Sequence, residues 1–235
     1  MMMNKLFIRA RSAARKLGVL SSLKRVHSMF SRGYEMRFDA ALLSQVQPGD
    51  VIWDVGANVG LYTEKFLAKT GSAGKVVAFE PAPECFALLA SKFRHASNIV
   101  LEGVALSSNN TVGVMRMASD PLGATHQLSD DEGSSSETAV RVTILTADTY
   151  MEQSKIVPNI VKIDVEGFEY DVFKGMKRLL REPQLRAIFC EVHFALLENR
   201  GQEFAPIEIE RLLRDACFDV KYTDSSHIQA IRRSC

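Results

Sequence analysis

The sequence predicts an α/β fold, with helices on both faces of a doubly wound, mostly parallel sheet. Short apolar runs alternate with amphipathic segments along most of the 235 residues. Acids and glycines follow several of these runs, as they do where a parallel strand ends in a ligand loop. Elsewhere apolar and polar residues alternate strictly, which predicts a small inserted hairpin and an antiparallel strand pair at the C-terminus.

The short apolar runs predict five parallel strands, and the segments between them have the periodicity of crossover helices. In chain order, the strands are expected at residues 50–55, 76–80, 99–106, 160–164 and 185–192. The helices are expected at residues 39–46, 61–69, 83–95, 148–154, 168–180 and 206–216. The hairpin is expected at 112–117 and 140–144, and the terminal pair at 218–222 and 227–231.

Turn residues support these boundaries. Pro48-Gly49 is a turn that leads the chain into the first strand, and Gly71 and Gly74 end the first crossover helix. Pro83 suits the first turn of the next helix, where its missing amide costs no hydrogen bond. The polar segment from Ser119 to Glu137 is rich in Ser, Asp and Gly, and it predicts a mobile loop that either covers an acceptor or has no such role.

Residues 1–38 differ from the remainder in charge, because they hold nine Lys/Arg and a single acid, Glu35. We therefore expect a basic helical extension at 1–38 and one α/β domain, which carries the function, at 39–235. The extension could pack loosely on the domain, or touch an anionic membrane surface or an acidic substrate. An Arg-rich beginning that is poor in acids also resembles an organelle transit peptide.

The composition is that of a globular protein, with 46% apolar and 24% charged residues. The longest uninterrupted apolar run has only six residues, Cys85 to Ala90, which excludes a transmembrane helix and favours a cytoplasmic protein. The four cysteines are scattered and form no CxxC pair, so neither a zinc site nor a disulfide framework is expected.

The run VIWDVGANVG, which ends at Gly60, predicts a buried strand that opens into a cofactor loop. Gly56 and Gly60 would let the backbone turn sharply and approach a ligand, and Asp54 would stand at the strand tip. Glu80 closes the next apolar run, where an acid commonly takes the ribose hydroxyls of an adenosine-type cofactor. The sequence therefore predicts a nucleoside cofactor across the tips of two neighbouring strands.

The spacing of the loop separates two classes of cofactor. A dinucleotide fingerprint GxGxxG that started at Gly56 would need glycine where the chain has Asn58 and Leu61. This departure disfavours NAD. The loop instead resembles the acid-x-Gly-x-Gly-x-Gly loop of S-adenosylmethionine-dependent methyltransferases, with Asn58 at the position of the middle glycine.

Four acids or imidazoles follow predicted strands, and they should converge at one edge of the sheet: Asp54, Glu80, Asp164 and His193. Asp164 begins a stretch with three carboxylates in six residues, which could serve a ligand, an acceptor or a helix N-terminus. These carboxylates with His193 could also hold a divalent metal, but no metal site is expected. His193 is either structural or a group that accepts a hydroxyl proton.

Taken together, these motifs resemble the FkbM family of methyltransferases. The resemblance covers about residues 50–195 and rests on DVGANVG at 54–60, FEP at 79–81, KIDVEGFE at 162–169 and EVH at 191–193. It implies a Rossmann-like class I methyltransferase fold and S-adenosylmethionine as methyl donor. It also implies O-methylation of a hydroxyl on a sugar, glycan or secondary metabolite.

The resemblance, with the strand-tip pattern, gives the expected site. The catalytic candidates are Asp164, Glu166 and His193, and the cofactor-binding candidates are Asp54, Gly56, Asn58, Gly60, Glu80 and Ala105. The expected partner is a small-molecule or glycan acceptor, with no nucleic acid, and the basic extension could make peripheral membrane contact. The alternatives are an NAD-dependent oxidoreductase, a nucleic-acid methyltransferase and a non-catalytic S-adenosylmethionine-binding protein.

Overall fold

A computed structural model describes residues 36–116, 127–129 and 139–233, with five helical residues nearer the N-terminus (Lys5, Ile8, Arg9, Arg11 and Ser12). Its strands are β1 Val51–Val55, β2 Lys75–Phe79, β3 Ile99–Glu102, β4 Val104–Leu106, β5 Thr111–Arg116, β6 Gln127–Ser129, β7 Ala139–Leu145, β8 Ile160–Ile163, β9 Ala187–Glu191, β10 Phe218–Tyr222 and β11 His227–Arg232. Helix α1 covers residues 36–45, and it is followed by α2 Leu61–Thr70, α3 Pro83–Lys92, α4 Ala147–Ser154, α5 Glu169–Lys174, α6 Phe194–Asn199 and α7 Ala205–Asp215. One 3₁₀ turn spans Leu179–Arg181.

The main sheet has seven strands in the order β10-β11-β9-β8-β1-β2-β3. β1 lies in the middle and pairs in parallel with both β2 and β8, so Trp53 is opposite Val77 on one side and Val161 on the other. The strand order therefore reverses between β1 and β8, where such sheets open a crevice at their carboxyl ends. β11 runs antiparallel to β9 and β10, which confirms the predicted terminal pair.

A second sheet has the order β4-β7-β5-β6, and it corrects one expectation and extends another. The predicted strand at 99–106 is two strands, because the chain leaves the main sheet at Gly103 and β4 pairs in parallel with β7. Apolar periodicity does not show such a change of sheet. The predicted hairpin is present as β5 and β7, which pair antiparallel, and β6 adds a further strand. Apart from β6, the expected loop at 119–137 lies outside the described residues.

Two helical expectations differ near the site. The helix after Gly167 ends at Lys174 rather than near Leu180, and the close approach of Gly175 gives the reason. A Cβ atom at Gly175 would lie 2.0 Å from the carbonyl oxygen of Ser107, so the chain must turn there against the β4 exit. The short helix α6 was not predicted, because its six residues are too few to show helical periodicity.

The core lies on both faces of the main sheet, as the alternation of side chains along β1 requires. Trp53 faces one layer, in which its ring makes edge contacts with Phe79 and Tyr150 at 5.3 and 5.2 Å. Ile52 faces the other layer, which holds a separate cluster of buried side chains. No helix in the described part of the chain combines the length and apolar character needed to cross a membrane.

Helix α1 packs on the second layer through Phe38, which is 2% exposed. Its ring makes edge contacts with Phe189 at 5.8 Å and Tyr62 at 6.4 Å, and it lies 4.2 Å from the ring of His227. The division of the chain at residue 38 stays a prediction.

Replacing Phe38 by alanine should lower the free energy of unfolding by about 3–5 kcal/mol, the usual cost of deleting a buried aromatic ring. Met36→Ala on the same helix is the control, because Met36 is 69% exposed, and it should change stability by no more than about 0.5 kcal/mol. Denaturant unfolding measures both. Equal losses would contradict the packing of α1.

Candidate active site

The loop after β1 is fixed by backbone hydrogen bonds to the neighbouring strand. The amides of Gly56 and Ala57 both donate to the carbonyl oxygen of Phe79, each at 3.0 Å. Asn58 has a left-handed backbone with φ 49°, which asparagine tolerates better than most residues. Its amide donates to Glu80 Oε2 at 2.7 Å, and Glu80 Oε1 accepts from the amide of Ala82 at 2.9 Å. Glu80 thus joins the loop after β1 to the loop after β2.

The other side of the loop contacts β8. Gly56 has φ 77°, and a Cβ atom there would lie 1.9 Å from the carbonyl oxygen of Asp164. Lys162 Nζ donates to the Gly56 carbonyl at 3.0 Å and lies 3.4 Å from Asp54 Oδ1 and 3.5 Å from Asp164 Oδ2. Its side chain is only 3% exposed, so a buried ammonium connects the loop to two strand tips.

The charges around Lys162 shift each other's pKa values. Burial alone would lower the pKa of Lys162, but Asp54 and Asp164 offset this and raise it. Lys162 therefore stays protonated. Burial raises the pKa of Asp54, opposed by Lys162 and by a 2.6 Å hydrogen bond that Asp54 Oδ2 accepts from the Thr63 hydroxyl. Burial likewise raises the pKa of Glu80, against the opposing hydrogen bonds from Ala82 and Asn58.

An open cleft, about 730 Å³ including the solvent space at its mouth, lies at the point where the strand order reverses. Six of the nine predicted site residues line it: Gly56, Asn58, Glu80, Ala105, Asp164 and Glu166. The remainder of its wall is mostly apolar: Val55, Phe79, Pro81, Cys85, Val104, Leu106, Met115, Val165 and Phe168. Met115 was not predicted to line the cleft, because the second sheet that brings β5 there was not foreseen. Cys85, on α3, was not predicted to line it either.

Asp54, Gly60 and His193 lie outside the lining of this cleft. Asp54 is fully buried and bonds Thr63 in the first turn of α2. Gly60 is the N-cap of α2 with φ 81°, and a Cβ atom there would meet Phe93 at 2.5 Å and Leu89 at 2.7 Å. Asp54 and Gly60 therefore support the loop from the protein interior, on the side away from the cleft.

The cleft suits an adenosine-type cofactor by the chemistry of its wall. Apolar side chains cover most of it, and the polar groups are concentrated in the two strand-tip loops. Asn58 Oδ1 is buried without a hydrogen-bond partner among the described residues, so a ligand donor would satisfy it.

A cluster of acids with one histidine stands at the tips of β8 and β9. His193 Nδ1 lies 2.7 Å from Glu169 Oε1, and Glu169 is fully buried. His193 Nε2 faces three other carboxylates, at 3.3 Å from Glu166, 3.8 Å from Asp164 and 3.9 Å from Glu191. The structure therefore brings the three predicted catalytic residues together.

In this cluster the pKa values of His193 and Glu166 are both raised, but for different reasons. Burial alone would lower the pKa of His193, but the hydrogen bond and charge of Glu169, with Glu166 and Asp164, raise it to about 9. His193 is thus a cation at neutral pH. Burial raises the pKa of Glu166 to about 7, although His193 opposes the rise. Ligand atoms of Asp164, Glu191 and His193 lie within 4.8 Å of one another, but a protonated imidazole has no lone pair to offer a metal ion.

Further residues of this site received no role from the sequence, among them Lys162, Glu191 and Arg200. Lys162 could have been noticed, because a lysine inside the apolar run IVKI must find buried partners. Glu191 could have been noticed as an acid at a strand end. Arg200 gave no signal, because it stands 33 residues from Gly167, whose carbonyl it binds.

Comparison with known proteins shows the family of this chain. The model of the methyltransferase FkbM domain matches residues 54–220, which include every predicted site residue. The chain belongs to the FkbM methyltransferase family. It is 30% identical over 186 residues to the hexuronic acid methyltransferase AglP of Haloferax volcanii, covering 77% of this chain and 69% of that protein.

This FkbM methyltransferase is similar to a second relative in sequence and to a solved structure in fold. It is 30% identical over 183 residues to the 31-O-demethyl-FK506 methyltransferase FkbM of Streptomyces tacrolimicus, covering 63% of this chain and 67% of that one. The crystal structure of a candidate rRNA methylase from Clostridium thermocellum has a similar fold, with a TM-score of 0.51 at 11% identity, covering 87% of this chain and 97% of that one. The enzyme is a methyltransferase with the class I fold, and its cofactor is S-adenosylmethionine.

Replacing Gly56 by alanine should destabilise the enzyme far more than the same change at Gly49. Both glycines have a left-handed backbone, but Gly49 has no atom within 4 Å of an added Cβ, whereas Gly56 faces backbone. Gly49→Ala should therefore cost about 1–2 kcal/mol of unfolding free energy, from strain alone. Denaturant unfolding of the two variants makes the comparison, and a Gly56→Ala variant as stable as Gly49→Ala would contradict the tight contact with β8.

Proposed function

We propose that this enzyme transfers a methyl group from S-adenosylmethionine to a hydroxyl group of a sugar, a glycan or a related metabolite. The observation that carries the proposal is Glu166, a carboxylate with a pKa of about 7 that lines the cofactor cleft beside an acidic strand-tip cluster. A group with this pKa is well matched to accept a hydroxyl proton at neutral pH.

The cofactor would be held by residues of the first two strand tips. The backbone at Gly56 and Asn58 would approach the cofactor closely, and Asn58 Oδ1 could accept a hydrogen bond from it, because this atom has no partner among the described residues. Glu80 uses one lone pair of each oxygen on backbone amides, which leaves acceptor sites for ribose hydroxyls. Ala105 and the apolar wall would cover the adenine. When bound, S-adenosylmethionine supplies an electrophilic methyl group, so positioning and removal of one proton remain for the protein.

Among the three catalytic candidates, the geometry favours Glu166 as the base. His193 has a pKa of about 9 and carries its proton at neutral pH, so its part is to hold the Glu166 carboxylate 3.3 Å away. Asp164 Oδ2 lies 3.5 Å from the buried ammonium of Lys162, so Asp164 already serves as the partner of a buried cation. Glu166 lacks such a cationic partner on lysine or arginine among the described residues, and it stays free to take a proton.

Charge supports an acceptor that offers hydroxyls rather than many phosphates. The ion pairs at the strand tips connect six carboxylates with one lysine and two histidines: Asp54, Asp164, Glu166, Glu169, Glu191 and Asp224 with Lys162, His193 and His227. Nucleic acids are bound largely through basic contacts to phosphate, which this edge of the sheet does not favour. A relative named a hexuronic acid methyltransferase supports a carbohydrate acceptor.

The proposed setting is the cytoplasm, and the basic residues of 1–38 would allow peripheral contact with an anionic membrane. The charge of this segment supports the contact, because each Lys or Arg near an anionic surface contributes about 1 kcal/mol.

Glu166→Gln should keep cofactor binding and lose turnover. The amide is nearly isosteric but cannot accept the proton, so turnover should fall by about 10²–10⁴-fold while the Kd for S-adenosylhomocysteine stays within about twofold. Wild-type turnover should rise with pH through about 7, as Glu166 loses its proton, and the variant should lack this step. Methyl transfer to hexuronic-acid and neutral oligosaccharides measures turnover, and calorimetry measures binding.

Glu208→Gln on α7 is the matched control, because Glu208 pairs only with the exposed Arg211 among the described residues, and it should leave both quantities unchanged. Full activity of Glu166→Gln with the same pH profile would remove Glu166 from the base role. Cofactor binding by the wild type without transfer to any hydroxyl acceptor would favour a non-catalytic binding protein.

A further inference from the structure

Helix α6 contacts the loop that carries Glu166 at both of its ends. His193 is the N-cap of α6, and its Nε2 atom lies 3.3 Å from Glu166 Oε2. Arg200 follows directly after the last residue of α6, and its amide donates to the carbonyls of Leu196 and Leu197. The two residues thus approach the same loop from opposite ends of one short, rigid element.

The loop needs such support, because its backbone has an unfavourable conformation. Glu166 has φ 49°, in the left-handed region that L side chains disfavour, and Gly167, with φ 93°, supplies the second positive φ that only glycine adopts readily. A Cβ atom at Gly167 would also lie 2.6 Å from Leu196 Cβ, so α6 packs directly on the turn. A strained conformation of this kind persists only where its surroundings determine it fully.

Arg200 makes three different contacts with the residues that follow Glu166. Its Nη1 atom donates to the Gly167 carbonyl at 2.5 Å, and its Nη2 atom lies 2.8 Å from Asp171 Oδ2. Its guanidinium carbon lies 3.5 Å from the centre of the Phe168 ring, which lines the cofactor cleft. Asp171 is 8% exposed, so the ion pair is largely protected from water.

Resting on the proposed role of Glu166, we propose that Arg200 is a positioning residue. It holds Gly167 and Phe168, which follow the strained Glu166, and thereby keeps the Glu166 carboxylate at the cleft. Arg200 acts through the backbone and the Phe168 ring rather than by touching the carboxylate. The planar fork is essential, because one guanidinium binds a carbonyl and a carboxylate while its face stacks on an aromatic ring. A lysine ammonium cannot do all three.

The test compares Arg200→Met and Arg200→Lys with the control Arg214→Met. Arg214 is also a half-buried arginine, and it lies on α7. Its guanidinium binds the Glu210 carboxylate at 2.7 Å and the carbonyl oxygen of Val220 on β10 at 3.0 Å, so neither partner belongs to the loop that carries Glu166. A carbon-13 NMR titration follows the Glu166 carboxyl, assigned by the loss of its resonance in Glu166→Gln. Calorimetry with S-adenosylhomocysteine and turnover are measured on the same proteins.

In Arg200→Met the released loop should expose Glu166 to water, so its pKa should fall from about 7 towards its ordinary value near 4.5. Turnover should fall by about 10- to 100-fold, since a small misplacement of a catalytic group has an effect of this size. The Kd for S-adenosylhomocysteine should stay within about threefold. Arg200→Lys keeps a positive charge beside Asp171 but lacks the planar guanidinium, so it tests the guanidinium contacts without leaving Asp171 unpaired. It should behave like Arg200→Met. Arg214→Met should lose stability alone.

A Glu166 pKa that stays at about 7 in both Arg200 variants would overturn the positioning role. A lowered pKa with unchanged turnover would support the positioning role and count against Glu166 as the base. The positioning role of Arg200 and the base role of Glu166 are therefore contradicted by different results.

Discussion

The buried ammonium of Lys162 is the interaction on which the site depends. It lies at the crossing of β1, β8 and the cofactor loop, within 3.5 Å of one carbonyl and two carboxylates. Burying a charge is costly unless it is paired and hydrogen-bonded, and Lys162 is both. The pair Asp54–Lys162 is weak evidence for stability as such, because desolvation offsets much of its attraction. What it provides is a fixed position for the loop that carries Gly56.

That fixed position connects the two halves of the reaction. On one side, the Gly56 loop and Glu80 form the wall that would hold the cofactor, and on the other, Asp164 and Glu166 would face the acceptor in the proposed reaction. Lys162 binds a group on each side, so the donor and acceptor halves share one cation. Helix α6 also supports the loop that carries Glu166, because His193 lies against the Glu166 carboxylate and Arg200 binds the Gly167 carbonyl. Positioning of this kind accounts for a large part of the catalysis that a reactive methyl donor still needs.

Much of this could be predicted from the sequence. Parallel strands, the loop at Gly56 and the acids at strand tips follow from local patterns, and the family resemblance adds the cofactor. The second sheet was predicted only as a hairpin, because a strand that leaves one sheet for another has the same apolar pattern as one that does not. The protonated state of His193 depends on Glu169, 24 residues away, and that contact needs the fold. The support from Arg200 has the same origin, since nothing near residue 200 indicates the turn at Gly167.

The most direct test of this account compares Lys162→Met with the double variant Asp54→Asn/Lys162→Met. The single variant leaves Asp54 buried without its cation, so its free energy of unfolding should fall by about 3–5 kcal/mol. The double variant leaves no buried charge at that position, and it should regain much of this stability. Calorimetry with S-adenosylhomocysteine should still show at least about tenfold weaker binding, because the Gly56 carbonyl has lost its donor and such a hydrogen bond to a charged group contributes about 1.5–3 kcal/mol. Wild-type affinity in the double variant would contradict the central role of Lys162.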